Sequence, residues 1–214
     1  MLSNFVGLAL LFVSFIASAH PVIYKGGTMV ASQNMSMFSD NQINYSFHQK
    51  WATGLNLWRF NNEQTKKTSE FGLVRLNHLL KRWNKDDSQA NIYLSSGMGV
   101  ADSHLDKRGT KIAYLGGIEA DWETRTLFTS LKYYHFNSPR LTDISMTQAR
   151  VGYSPYEAEF DKLQTWVMLQ GMYMGKIEKN VVVTPLLRFF YNNVLWEVGS
   201  SLRSEWFLNF MVHI

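Results

Sequence analysis

Seven charged residues fall where a chain of alternating strands would turn them inward. Arg75, Lys111, Glu119, Asp121, Lys132, Arg150 and Arg188 each lie on the polar phase of a two-residue alternation. Such side chains can line a pore and select ions. They can also pair across the lumen and hold a small barrel shut, provided the geometry is good. Both signs occur among them, which favours pairing.

Histidines and methionines are the other chemically capable groups. Barrel enzymes that act on lipid bring His together with Ser and a third polar group. The histidines here are His20, His48, His78, His104, His135 and His213, and none stands in such a constellation. Ser103-His104 is adjacent in sequence on a polar link, which any external loop can show. We therefore expect no catalytic residue, no cofactor and no enzymatic activity, with a lipid-modifying enzyme as one alternative. Thioethers suit soft Cu(I), and Met35, Met37 and the pair around Tyr173 invite that reading. The competing role for methionine is lipid-facing or gap-filling use. His20 would chelate copper through its amine and ring if cleavage left it N-terminal. A free, disordered terminus is the preferred alternative. His20, Met35 and Met37 are thus the weak metal candidates. The chain has no cysteine, which excludes disulfides and thiolate sites.

The elements that would position these groups are strands. From Lys111 to Glu123, Ile112, Tyr114, Gly116, Ile118, Ala120 and Trp122 share one face. Lys111, Ala113, Leu115, Gly117, Glu119, Asp121 and Glu123 share the other. That length approaches what a tilted strand needs to cross a bilayer. The pattern recurs at Ile43–Phe47, Ile92–Val100, Leu163–Tyr173 and Val181–Tyr191, with Arg75, Asn77, Lys132, Gln148, Arg150 and Glu197 on polar faces. Counting segments predicts an all-β antiparallel transmembrane barrel over residues 20–214, of about twelve strands, with ten as second choice. Inward Gly and Ser suit a narrow lumen filled by larger neighbours.

Connections should alternate, short at one end and longer at the other. Short ones are expected at His48–Lys50, Glu123–Arg125 and Asn192-Asn193. Longer ones are expected at Ser32–Asn41, Asn61–Glu70, Ala101–Gly109 and Asn137–Asp143, with Lys81–Gln89 an exception. A soluble periplasmic barrel or sandwich is the alternative. Against it stand Trp51, Trp122, Trp166, Tyr156 and Phe160 near short turns, as in an interfacial girdle. Trp206, Leu208, Phe210, Val212 and Ile214 also form an apolar face running to the last residue, the form of an outer-membrane assembly signal. Such a signal usually ends on an aromatic residue, and Ile214 is not one.

Residues 1–19 read as a Sec-type signal peptide. Leu8 to Ile16 is apolar except for Ser14, and Ala17-Ser18-Ala19 offers the small residues cut by signal peptidase, with Ala17 and Ala19 at the recognised positions. No Lys or Arg precedes the apolar run, a departure from the usual pattern. Hydrophobic residues make up 46% of the chain and aromatics 14%, without a run long enough for a membrane helix. The net charge of +4 is spread thinly, which argues against nucleic acid as a partner.

Four stretches resemble a group of proteobacterial outer-membrane proteins associated with copper and heavy-metal resistance loci. They are Tyr24–Thr28, Lys81–Asn84, Ala120–Arg125 and Leu187–Phe190. The resemblance implies a Gram-negative outer-membrane location and carries no catalytic motif; its link to metal is by association alone. The expected protein is a small integral outer-membrane barrel, structural or narrow-channel, with a charge-paired lumen. Its expected partners are outer-membrane lipid, lipopolysaccharide and the barrel-assembly machinery during insertion. Surface metal handling is the other alternative.

Overall fold

A computed structural model describes residues 20–105 and 108–214. The signal segment, with Ala17 and Ala19, lies outside the described residues. Twelve strands follow one another along the chain. The first four are β1 (Thr28–Met35), β2 (Phe38–His48), β3 (Trp51–Asn62) and β4 (Lys67–Asn84). Next come β5 (Ser88–Ser103), β6 (Gly109–Thr124), β7 (Leu127–Ser138) and β8 (Thr142–Tyr153). The last are β9 (Gln164–Met174), β10 (Glu178–Tyr191), β11 (Val194–Ser200) and β12 (Trp206–His213). Each pairs antiparallel with its chain neighbours, and β12 pairs with β1, so the sheet is a closed barrel. Closure leaves no strand edge unpaired.

Alternation produces the strands and the two faces. On β6, Ile112, Tyr114, Ile118 and Trp122 are exposed outward, while Ala113, Leu115, Glu119 and Glu123 are buried inward. Ten residue steps from Ile112 to Trp122 cover roughly 25 Å along the axis of a barrel tilted near 40°. Exposed aliphatics continue this belt through Leu55, Val74, Val100, Leu131, Val151, Leu169, Leu187 and Leu208. Toward the end away from the termini, polar outward pairs bound it: Ser32 with Asn41 (2.7 Å), Arg59 with Glu70 (3.5 Å) and His135 with Asp143 (3.5 Å). At the termini's end, Trp83, Trp122, Tyr153, Tyr156, Phe160 and Tyr191 are exposed aromatics. Trp166 is not among them. It points inward and is buried, because Gln164, Trp166, Met168 and Gln170 share the inner phase of β9.

The connections depart from the expected rhythm. Ser32–Asn41 is mostly strand, joined by the two-residue turn Ser36-Met37. Ser32, Asn34, Ser39 and Asn41 face outward beyond the apolar belt while Gln33 and Asp40 face inward, so polar residues stand on both phases and composition mimics a loop. Lys81–Gln89 is also mostly strand. A register shift between Leu79 and Lys81 interrupts the alternation while β4 runs on to Asn84. The longest link, 154–163, lies at the same end as the termini. Tight turns elsewhere place Lys66, Arg140, Lys176, Asn192 and Ser204 at positive φ.

Candidate functional site

The barrel interior is the site, and it has three layers. The end away from the termini is filled by apolar side chains: Phe38, Trp58, Phe60, Phe71 and Phe136 with Leu73, Ile144, Met146, Met172 and Met174. Phe60 and Phe136 meet edge to face with centroids 5.0 Å apart, and Trp58 and Phe136 at 4.8 Å, the geometry aromatic quadrupoles favour. Inward glycines make the room. A Cβ on Gly117 would run into the Tyr134 ring, and one on Gly152 into Met168.

The middle layer is ionic, and two clusters share it. In the first, Arg75 Nη2 donates to Ser95 Oγ at 2.8 Å and Glu119 Oε1 at 3.1 Å. Tyr134 Oη bonds to both Arg75 and Glu119, and Lys132 Nζ lies 2.9 Å from Glu119 Oε2. In the second, Glu197 accepts from Arg188 Nε at 2.7 Å, Arg150 Nη1 at 3.1 Å and Asn209 Nδ2 at 2.7 Å. Glu197 is fully buried, so these donors replace its lost hydration. Arg188 also stacks on the Phe128 ring at 4.5 Å.

The third layer is the mouth at the termini's end. The chain before β1 turns into the barrel and buries His20, Pro21 and Val22. His20 Nδ1 lies 3.3 Å from Asp121 Oδ2, and Nε2 lies 3.7 Å from Glu123 Oε1. The second contact is too long for a hydrogen bond, and Glu123 Oε1 has no donor. Burial alone would lower the His20 pKa. The contacts with Asp121 and Glu123, and their charges, outweigh it and raise the value to about 9. Val22 packs with Ala52, Leu79 and Tyr93, and Ile23 N donates to Ser46 Oγ at 3.0 Å.

Six of the seven inward charges named from the sequence meet inside the barrel, and Lys111 does not. It sits at the far end of β6 and is exposed, because the inner phase leaves the barrel there. Asp121 belongs to the mouth and not to the middle layer. His20 is docked, not free, and its two ring nitrogens face different carboxylates, so these groups do not converge on one point. Met35 and Met37 point into the apolar layer, not onto an external loop. All the described methionines except Met98 are buried inward, which corrects a lipid-facing reading. Among the described residues no group of three or more His, Asp or Glu is placed to hold a metal ion. Trp206, Leu208 and Phe210 face outward on β12, and Ile214 bonds its backbone to Thr28.

Sequence reasoning missed Asp40, Tyr134 and Trp58 as interior residues. Asp40 accepts from Asn56 Nδ2 at 3.1 Å and Gln42 Nε2 at 3.3 Å. Its phase relation to Gln42 and Asn44 was the available signal. No family model matches this chain, and no curated protein matches it.

Proposed function

We propose that this protein is an integral barrel of the Gram-negative outer membrane, exported by its signal peptide, with a closed interior and a structural role. The carrying observation is the pairing of an apolar outer belt with a filled interior. A soluble monomer rarely exposes a contiguous apolar patch beyond a few hundred Å², whereas lipid covers a belt of this height at no cost. The aromatic and methionine layer leaves ions no path through, and the ionic layer is consumed in pairing. Outer-membrane lipid and lipopolysaccharide are the proposed surroundings. The outward face of β12 is the proposed recognition strand for the assembly machinery. A narrow channel is the second reading, favoured by the partial exposure of the Lys132 side chain inside the barrel.

Planar-bilayer recording separates the two. Protein whose insertion is verified by protease protection in vesicles should be electrically silent. Discrete conductance steps would overturn the closed reading and favour the channel.

A further inference from the structure

We infer that the amino group freed at His20 when the leader is cut becomes the second cation of the barrel mouth, pairing with Asp121 and Glu123 and fixing the docked segment in its mature form. The inference rests on the proposed export of this chain, with cleavage after Ala19. Hydrolysis of the Ala19–His20 bond adds the hydroxyl of water to the Ala19 carbonyl and a hydrogen to the His20 nitrogen. The amine then takes up a proton. A planar amide with one N–H thus becomes an ammonium with three.

The fold sets where that charge appears. His20 is 7% exposed, so the new ammonium lies in the mouth and not in bulk water. A buried charge is costly unless an opposite one stands close by. Asp121 and Glu123, with side chains 10% and 6% exposed, share a single ion-pair partner, the His20 ring. Among the described residues, no lysine or arginine forms an ion pair with either carboxylate. Arg82 is exposed and directs Nε to Asn91 Oδ1 at 2.6 Å and Nη2 to Tyr93 Oη at 3.3 Å. Asn91 Nδ2 donates to Asp121 Oδ1 at 2.7 Å but carries no charge. Two buried carboxylates therefore face one imidazolium, and one negative charge is left over. Cleavage supplies one positive charge, on the residue that already touches both. No ligand has to enter: Glu123 Oε1 lacks a donor and is sealed from solvent, so only a group already docked against it can serve it. The segment is held on its other side by Val22, in its pocket of Ala52, Leu79 and Tyr93, and by Ile23 N on Ser46 Oγ. The ammonium completes the hold at the free end.

The test follows the reactivity of that amine in protein expressed from the full-length gene and extracted in detergent. Intact mass and terminal sequencing should show a chain that begins at His20. Recovery only with the leader attached would sink the export reading together with this proposal. Acetylation by a water-soluble active ester is run near pH 8, where an ordinary α-amine is about half deprotonated. Read by peptide mass spectrometry, it should be at least tenfold slower at the terminus of the folded barrel than in urea. Glu123→Gln keeps the size of the side chain and removes its charge, and should restore most of the lost reactivity. One extra alanine ahead of His20 should do the same, because it moves the ammonium while leaving the ring. A chain that begins at His20 and reacts as fast folded as unfolded overturns this proposal alone. So does a Glu123→Gln protein as protected as wild type, since burial without pairing would then explain the protection. Should that variant fail to fold, the extended chain decides, and its equal protection would overturn the proposal.

Discussion

Arg150 on β8 and Glu197 on β11 meet across the barrel interior, with Nη1 3.1 Å from Oε2. These strands are not neighbours in the sheet, so the pair spans the space a pore would occupy. Arg188 reaches the same carboxylate from β10 at 2.7 Å. Glu197→Ala should therefore leave two buried arginines facing each other. Removing one partner of a buried pair costs about 3–5 kcal/mol. The expected outcome is a lower urea midpoint, and loss of the cold-detergent-resistant band at lower temperature. A midpoint equal to wild type would mean the interior is solvated enough to dispense with Glu197.

Gly116 and Gly117 are adjacent and should respond oppositely to one added carbon. Nothing lies within 4 Å of a Cβ on outward Gly116, whereas one on Gly117 meets the Tyr134 ring. Gly117→Ala should displace Tyr134 from Arg75 and Glu119, at about 1–3 kcal/mol for overpacking. Gly116→Ala should be near neutral. Equilibrium unfolding of both variants checks this, and equal effects would remove Tyr134 from its assigned place.

Ile118→Arg tests the outer face. It is exposed midway along β6, between Ile112 and Trp122. An arginine at the bilayer midplane costs a transmembrane barrel roughly 2–4 kcal/mol. Unfolding from lipid vesicles should show that loss. Lys111→Met, at the exposed end of the same strand, should change stability little. An Ile118→Arg barrel as stable as wild type in vesicles would mean the belt does not face lipid.

Docking of the N-terminal segment should depend on pH through His20. Its pKa in the fold, about 9, lies above the ordinary 6.5. The stabilisation is therefore fully present below pH 6.5 and is lost as pH rises through about 9. In the imidazolium form, Nδ1–H faces Asp121 and Nε2–H faces Glu123. Once deprotonated, Nε2 can accept from Asn91 Nδ2, 3.3 Å away. Tyr93, Arg82 and His213 complete the ionisable surroundings. A spin label at Tyr24→Cys, in a chain without other cysteines, should gain mobility as pH rises from 7 toward 10. Its mobility should stay flat from 5 to 6.5. With His20→Gln that rise should vanish; a rise that persists would assign it to another group.

The strands and their faces were legible wherever one phase is apolar and the other polar. Ile112 to Glu123 is such a stretch, and it fixes the inward direction of Glu119. Where both phases are apolar, contrast disappears. Phe71, Leu73 and Val74 could not be divided between lipid and interior from their types. Inward Gly and Ser pointed to a filled lumen, but the apolar residues that fill its far end could not be picked out. Where both phases are polar, as at Ser39, Asp40 and Asn41, strand looked like loop and Asp40 went unnoticed. Docking of His20 depends on a chain reversal with Gly26 at positive φ and on partners about a hundred residues away. No local pattern encodes that.

Fractionation of cell envelopes tests membrane integration most directly. The full-length gene is expressed, and its product followed through a sucrose gradient and an alkaline carbonate wash. The protein should band with the outer membrane, resist the wash, leave only in detergent, and migrate differently on gels before and after boiling. Recovery from the periplasm as soluble, folded protein without detergent would contradict the outer-membrane reading. The apolar belt from Ile112 to Trp122 would then need another partner.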